Sequence, residues 1–362
     1  IISNFLTGFP WLLLGLSQYS NPYILKIAKF IGIYGVSFLI IAFNLFLFTL
    51  IKKNFSLQNL FFILFLIFLF LIYKLPERKI YKGSLSILLI QPNIITSQIT
   101  KEENEKFLIS LLNQNLKGKK VDMVILPEGI FQDNLFEKKD LIEKLKKISI
   151  QNKCSILFGS FTGFNNNIYN SGVLIKGNKL DVYNKIKLVP YGEFILGERF
   201  KFIKNIFLKI AGYQPYLKKG NDFKVFECKN IKFSILICYE NVFSQFLDNF
   251  LKNGADFFIV ITNDSWFGKS IGPYQHFYHN VFRGIETGRY FIQIGLTGVT
   301  GIVNPNGKIE RILESKGEEL FIKGFLFYSL PVFYYETFYS KYGLYPFVLF
   351  CLILIGFLIC KN

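Results

Sequence analysis

Histidine is almost missing from this chain. Its 362 residues include two His, one Met and two Trp. Both histidines, His276 and His279, fall in one short stretch, YQHFYHN. A histidine-based triad or a His-rich metal centre therefore has little to draw on. A metal reading wants an acid or cysteine at matching spacing, as in HExxH, and none is there; the pair reads as structural or substrate-lining. Five cysteines give no disulfide framework. Cys351 and Cys360 lie in an apolar run and read as packing. Cys154 and Cys228, at strand edges, read as small buried hydrophobes or as one bridge in an oxidising compartment. Acidic residues are scarce too, 25 against 42 Lys and Arg, for a formal net charge of +17. The lysines are spread along the chain without a basic, aromatic-interleaved run, which argues against a nucleic-acid partner. They suit loops beside an anionic bilayer.

Charge is absent altogether from three long runs. Ile31 to Ile51, Leu57 to Tyr73 and Leu344 to Cys360 carry none, in a chain that is 51% hydrophobic with 43 Phe. A helix crossing the hydrocarbon core needs about 20 mostly apolar residues, with a range of about 17 to 25. Soluble helices rarely lack polar residues around their whole circumference, so the three runs read as membrane helices. Asn4 to Gln18 is a weaker fourth, a helix end or an interfacial piece. A signal peptide fits poorly, because no small-residue cleavage site follows the longest run. The first residue is Ile, and further membrane segments are expected upstream. The expected organisation is a partial membrane region over 1–78, an α/β domain over 79–335 and a C-terminal transmembrane helix over 336–362. Lys52 and Lys53 place one turn in the cytoplasm, which puts the long middle segment on the outer face and Lys361 inside.

The middle segment has the texture of a mixed sheet covered by helices. Strands are expected at Ser84 to Gln91, Val121 to Leu126, Ser155 to Ser160 and Asn170 to Ile175. Further strands are expected at Val182 to Val189, Phe223 to Cys228, Lys232 to Ile237, Asp256 to Thr262, Tyr290 to Ile294 and Val299 to Val303. Helices are expected at Lys101 to Leu116, Asp140 to Asn152, Asn241 to Lys252 and Tyr274 to Thr287. Arg199 to Gly220, aromatic and basic, reads as a helical excursion packed on the domain or as an arm dipping into the lipid interface.

Three reactive side-chain types sit at strand ends. VILPE delivers Glu128, VYNKIK delivers Lys185 and ILICYE delivers Cys238, and the ends of neighbouring strands converge on one edge of a sheet. A thiol with an ordinary pKa near 8.5 is mostly protonated at neutral pH and needs a base or a cation beside it. A glutamate can take the proton. A lysine ammonium can favour the thiolate and then hold the oxyanion of a tetrahedral intermediate.

These residues resemble the Glu–Lys–Cys triad of the carbon–nitrogen hydrolase (nitrilase) superfamily. They are similar above all to its membrane branch, the apolipoprotein N-acyltransferases. That likeness rests on LPEG with Glu128, on YNKIKLVPYGEF with Lys185 and Glu193, and on Cys238, Tyr239 and Glu240. It also rests on NDSWFGKSIGPYQH from Asn263 to His276, followed by Arg283, Glu286 and Arg289. TGFPWLLLGLSQ, Thr7 to Gln18, looks like the family's segment before its sixth membrane helix. The chain departs from the family in lacking a tryptophan after Gln91–Ile94 and in having Leu296, Thr297 and Gly298 where Asn-Asn-Gly is usual.

The resemblance implies a four-layer α-β-β-α sandwich flanked by transmembrane helices, on the outer face of the bacterial inner membrane. It implies acyl transfer from a phospholipid donor to a diacylglyceryl-modified apolipoprotein through a thioester on Cys238, with no cofactor and no metal. Glu128 would act as base, Lys185 and the Tyr239 amide as oxyanion donors, and Glu193 and Glu240 as supports of the site. Tyr239 reads equally as lining the acyl pocket or as a packing residue. A membrane-tethered amidase or nitrilase using water as acceptor is the alternative.

Overall fold

The computed structural model describes residues 10–53, 55, 57–73, 78–94, 100–164, 167–195, 197, 200–211 and 217–360. It opens with a short 3-10 turn, Leu14–Gln18, followed by helices α1 (Pro22–Ile51) and α2 (Leu57–Tyr73). The α/β domain then runs β1 (Lys79–Gln91), α3 (Lys101–Leu116), β2 (Met123–Ile125), β3 (Phe131–Asn134), α4 (Lys139–Asn152), β4 (Ser155–Phe164), β5 (Asn167–Lys176) and β6 (Lys179–Asn184). After α5 (Lys201–Ala211) come β7 (Phe226–Cys228), β8 (Ile231–Ile237), α6 (Leu247–Lys252), β9 (Phe257–Thr262) and α7 (Gly272–Thr287). The closing elements are β10 (Tyr290–Gly295), β11 (Gly301–Val303), β12 (Ile309–Ile312), β13 (Gly324–Tyr335), α8 (Phe338–Tyr342) and α9 (Tyr345–Cys360).

The strands form two sheets. One has the order β13-β1-β2-β4-β5-β6 with β3 beside β4, and the other runs β12-β11-β10-β9-β8-β7. Side-chain alternation along each strand separates the layers. On β1, Leu88 and Ile90 join Leu108, Leu112, Leu141 and Leu145 in a core under α3 and α4. Ile87 and Leu89 face the other way and meet Phe233, Ile235 and Ile259 of the second sheet. That sheet turns Leu236, Phe258 and Val260 toward Phe250 of α6 and Phe277 and Val281 of α7. Helix, sheet, sheet and helix stack in that order. Local signals fix the helix ends. Thr100 and Glu103 form a capping box at the start of α3, while α7 has Pro273 in its first turn and Gly288 in the left-handed conformation after its last.

Three expectations change. The helix expected over Asn241–Lys252 is a 3-10 turn, Cys238–Val242, followed by the short α6; the Glu240 carboxylate folds back onto the Ile237 amide and tightens the chain there. The strand expected to reach Val189 stops at Asn184, just before Lys185, because the Ile186 and Lys187 amides turn to the Glu240 carboxylate instead of a neighbouring strand. Beyond Val303, where the strand pattern was expected to close, β12 and β13 follow. The latter pairs antiparallel with β1 along its whole length and tolerates Pro331 because it is an edge strand.

Among the described residues one helix, α1, is both long and apolar enough to cross a membrane. Helices α2 and α9 span 17 and 16 residues. Among the described residues, the expected flanking set of transmembrane helices is thus matched in length and apolarity by α1. Helix α1 is broken at Gly32, whose φ of 64° departs from the helix. Helix α1 packs into the domain core through Leu25 and Ala28 before the break and Ile33 and Val36 just after it. Its second half exposes Ile41, Leu45, Phe48 and Ile51, and α2 and α9 expose Phe68, Leu71, Leu352 and Ile353. Contiguous apolar surface of this kind marks a face made for lipid or protein. Cys154 and Cys228 are free and buried, and each packs in a different core.

Candidate active site

Glu128, Lys185 and Cys238 leave the C-terminal ends of β2, β6 and β8. The structure brings them together in one buried site. Lys185, 1% exposed, places its Nζ 3.7 Å from Glu128 Oε1 and 2.9 Å from Glu193 Oε1. Asn170 Nδ2 donates to both carboxylates, at 2.7 Å to Glu128 and 3.1 Å to Glu193. The Asn263 amide donates to the second oxygen of Glu128 at 2.8 Å, and the Val189 amide to that of Glu193 at 2.8 Å. Every carboxylate oxygen facing Lys185 is thereby aimed.

The charges follow from this packing. Burial works against the Lys185 ammonium, but Glu193 and Glu128 outweigh it and hold its pKa above the ordinary lysine value. Burial raises Glu128 above an ordinary glutamate, with Lys185 opposing and Glu193 adding to the rise. Burial and Glu128 both raise the Cys238 thiol, while Lys185 pulls it down. The thiol is thereby held protonated beside a fixed cation.

Cys238 sits on a sharp turn where β8 ends, with φ of 51°. Non-glycine residues rarely adopt that conformation, and such strain clusters at functional sites. Glu240 braces the turn. It accepts from the Ile237 amide at 2.9 Å, the Ile186 and Lys187 amides at 2.7 and 3.0 Å, and the Tyr183 hydroxyl at 2.8 Å. One carboxylate thus ties the Cys238 turn to the segment that carries Lys185. Burial pushes it up to about 7, against the pull of the Ile237 and Lys187 amides.

Tyr239 is buried and stacks near-parallel to Trp11, with ring centroids 6.4 Å apart. Trp11 also lies 5.2 Å from the His276 ring and donates Nε1–H to Gln275 at 3.1 Å. In the sequence Trp11 stands out only as one of two tryptophans and as part of the Thr7–Gln18 segment, with nothing to place it at the site. Asn170, at the site's centre, left no signal in the sequence at all. Asp264 was visible only as part of the Asn263–His276 block. The Cys238 sulfur, an Asp264 oxygen and a His276 nitrogen lie within 4.8 Å of one another. Folding thus supplies the acid and cysteine that the local spacing lacked for a metal site, although both His276 nitrogens already have partners. Farther along α7, Arg283 and Glu286 form a fully buried pair at 2.8 Å. Glu286 Oε1 accepts the Ile33 amide at 2.7 Å, capping the second half of α1 at its break.

The family profile described as Carbon-nitrogen hydrolase matches residues 89–323, and that described as Apolipoprotein N-acyltransferase N-terminal domain matches residues 1–46. The apolipoprotein N-acyltransferase of Wigglesworthia glossinidia brevipalpis is 35% identical over 97% of this chain and 70% of its own length. The chain belongs to the apolipoprotein N-acyltransferase family. A second relative so named, from Aquifex aeolicus, is 33% identical over 87% of this chain and 71% of its own. A third, from Thermotoga maritima, is 29% identical over 90% of this chain and 61% of its own. Among solved structures, an amidase of Nesterenkonia AN1 from the nitrilase superfamily superposes with a TM-score of 0.51 at 15% identity, over 69% of this chain and 92% of its own. Saccharomyces cerevisiae Nit3 does so with a TM-score of 0.52 at 16%, over 71% and 93%. These two carry the nitrilase-like fold alone. The tethered-amidase alternative is not favoured, since the three relatives at 29–35% identity are all named apolipoprotein N-acyltransferase and that family's N-terminal domain profile matches residues 1–46.

Proposed function

We propose that Cys238 carries a fatty acyl group from a phospholipid to the N-terminal amine of a diacylglyceryl-modified apolipoprotein. The buried Glu128–Lys185 pair beside the Cys238 turn is the observation that carries this reading. Glu128 takes the thiol proton as sulfur attacks the ester carbonyl. The Lys185 ammonium and the Tyr239 amide hold the oxyanion, with Lys185 fixed by Glu193. The C–O bond breaks, lysophospholipid leaves with the proton from Glu128, and a thioester remains. The acceptor amine then attacks that thioester, yields its proton to Glu128, and the sulfur departs and is reprotonated. Both steps balance without a cofactor.

Membrane attachment fits substrates whose acyl chains cost about 0.8 kcal/mol per CH₂ to draw into water. On this reading residues 1–78 are part of a membrane region, 79–335 the catalytic domain and 336–362 a returning helix. The chain is then multi-pass in the inner membrane, with its catalytic domain on the outer face. The rim of the site agrees with lipid contact. Trp266 is 86% exposed and Ile271 62%, and α5 presents Phe202 and Ile210 to the outside together with Lys201 and Lys209. The test is to incubate membranes bearing the protein with phospholipid labelled in its acyl chain. A hydroxylamine-sensitive acyl group on wild type, absent from Cys238→Ser, is expected. A Cys238→Ser protein that still acylates a diacylglyceryl peptide overturns the assignment.

A further inference from the structure

The polar chain beneath the nucleophile fixes where its protons lie. Gln293 Nε2 donates to the Val299 carbonyl at 3.2 Å, so Gln293 Oε1 must accept, and it takes a hydrogen bond from Asn280 Nδ2. Asn280 Oδ1 therefore faces Asn241 and accepts from Asn241 Nδ2 at 2.8 Å. Asn241 Oδ1 is left facing His276 Nε2 at 2.9 Å, and the other neighbour of that nitrogen is the Cys238 carbonyl at 3.1 Å. Both are acceptors, so Nε2 must carry a hydrogen. The opposite nitrogen, Nδ1, lies 2.9 and 2.8 Å from the two oxygens of Asp264, which Thr262 Oγ1 also serves as donor. A ring with acceptors at both ends and no exposure is matched by its doubly protonated form.

We propose that His276 is a positioning residue, held as an imidazolium by Asp264, whose charged Nε2–H pins the Cys238 carbonyl and so fixes the left-handed turn that aims the thiol. The turn needs such a hold, because Cys238 at φ 51° is in a conformation a non-glycine residue leaves when free to do so. Glu240 anchors the turn from one side, and His276 anchors it from the other through α7. The groups facing the ring are Asp264 from the loop after β9, Glu128 from the loop after β2, Cys238 from its turn and His279 from α7 itself. Burial opposes the charge, but Asp264 and the Cys238 carbonyl outweigh it and raise the ring above an ordinary histidine.

This rests on Cys238 being the nucleophile proposed above, so its test includes a readout that needs no acyl donor. In detergent-solubilised full-length protein, thioester formation from labelled phospholipid and alkylation of Cys238 by iodoacetamide are followed from pH 6 to 9. His276→Gln is expected to slow both by at least tenfold at pH 7 with little change in shape against pH. Asp264→Asn releases the ring to titrate, so its rate of thioester formation is expected to fall at least fivefold, relative to wild type, between pH 6 and 9. A His276→Gln rate within twofold of wild type overturns the proposal. So does an Asp264→Asn profile parallel to that of wild type, and this arm decides if His276→Gln fails to fold. Alkylation that responds to both variants while wild type forms no thioester keeps this inference and removes the acyl-transfer reading instead.

Discussion

At the scale of single residues, three acids with the same side chain do different work because their surroundings differ. In the reaction proposed above, Glu128 is the one whose protonation decides the rate. Burial raises it, and the base must be ionised, so activity is retained above its raised pKa and lost as pH falls through it. The acidic limb of thioester formation is therefore expected above pH 4.5, the ordinary value for a glutamate. Replacing Glu128 by Gln keeps the shape and removes the base, and single-turnover acylation is expected to drop by roughly 10²–10⁴-fold. Glu193 adds a like charge that raises Glu128 further. Glu193→Gln is expected to move the acidic limb to lower pH while slowing acylation, because Lys185 loses its 2.9 Å partner. An unshifted limb in that variant would show that the two carboxylates do not sense each other. Glu240 touches none of the reacting atoms; its four donors make it the brace between two chain segments.

Among the elements, the site depends on close approach of backbones that only glycine permits. A Cβ on Gly159 of β4 would come within 2.5 Å of Glu128 Cα and 2.8 Å of the Gly129 amide. Gly159→Ala must push the Glu128 loop outward. A stability loss of about 1–3 kcal/mol is expected from the forced shift, with acylation falling by at least tenfold, checked by thermal unfolding and by the labelled-phospholipid assay. Gly32 makes the same kind of demand at the other end of the molecule. With φ of 64°, and Tyr339 Cε2 only 2.4 Å from the position of its missing Cβ, it creates the break in α1 that the Glu286 carboxylate then caps. Gly32→Ala is expected to lower the melting temperature and the yield of folded protein, because it loses both the turn and the cap. A melting temperature equal to that of wild type would mean that α1 tolerates a continuous helix there.

For the whole molecule, the distribution of surface apolarity bears on the proposed orientation to the bilayer. The large exposed aliphatic and aromatic residues gather on the outer half of α1, on α2 and on α9, with a second group at the rim of the site and on α5. If the catalytic domain stands on the outer face, the turn carrying Lys52 and Lys53 lies in the cytoplasm. A cysteine introduced as Lys53→Cys is then expected to react with a membrane-impermeant maleimide only after permeabilisation, whereas Ser265→Cys reacts from outside in intact spheroplasts. The reverse pattern would invert the topology. The arm α5 makes a separable prediction. Phe202→Ser with Ile210→Ser is expected to raise the KM for phospholipid vesicles several-fold while leaving iodoacetamide alkylation of Cys238 unchanged, since both side chains face outward.

The sequence by itself determined what depends on local pattern. Local sequence signals, such as the acids in its first turn, located α3 at its observed ends, and α7 was placed to within two residues. The reactive residue types stood out because each follows an apolar strand, and Glu128, Lys185 and Cys238 were legible before any coordinates. Long-range pairing decided the rest. Strand β13 was hidden because an aromatic run containing Pro331 reads as a strand only once β1 lies beside it. Asn170 gained its place from β5 crossing behind two carboxylates, and Trp11 gained its own from α7 drawing a distant segment over Tyr239. Burial likewise sets Glu128 and Glu240 apart from exposed acids, because a pKa is set by desolvation and neighbouring charge, and neither exists until the chain has folded.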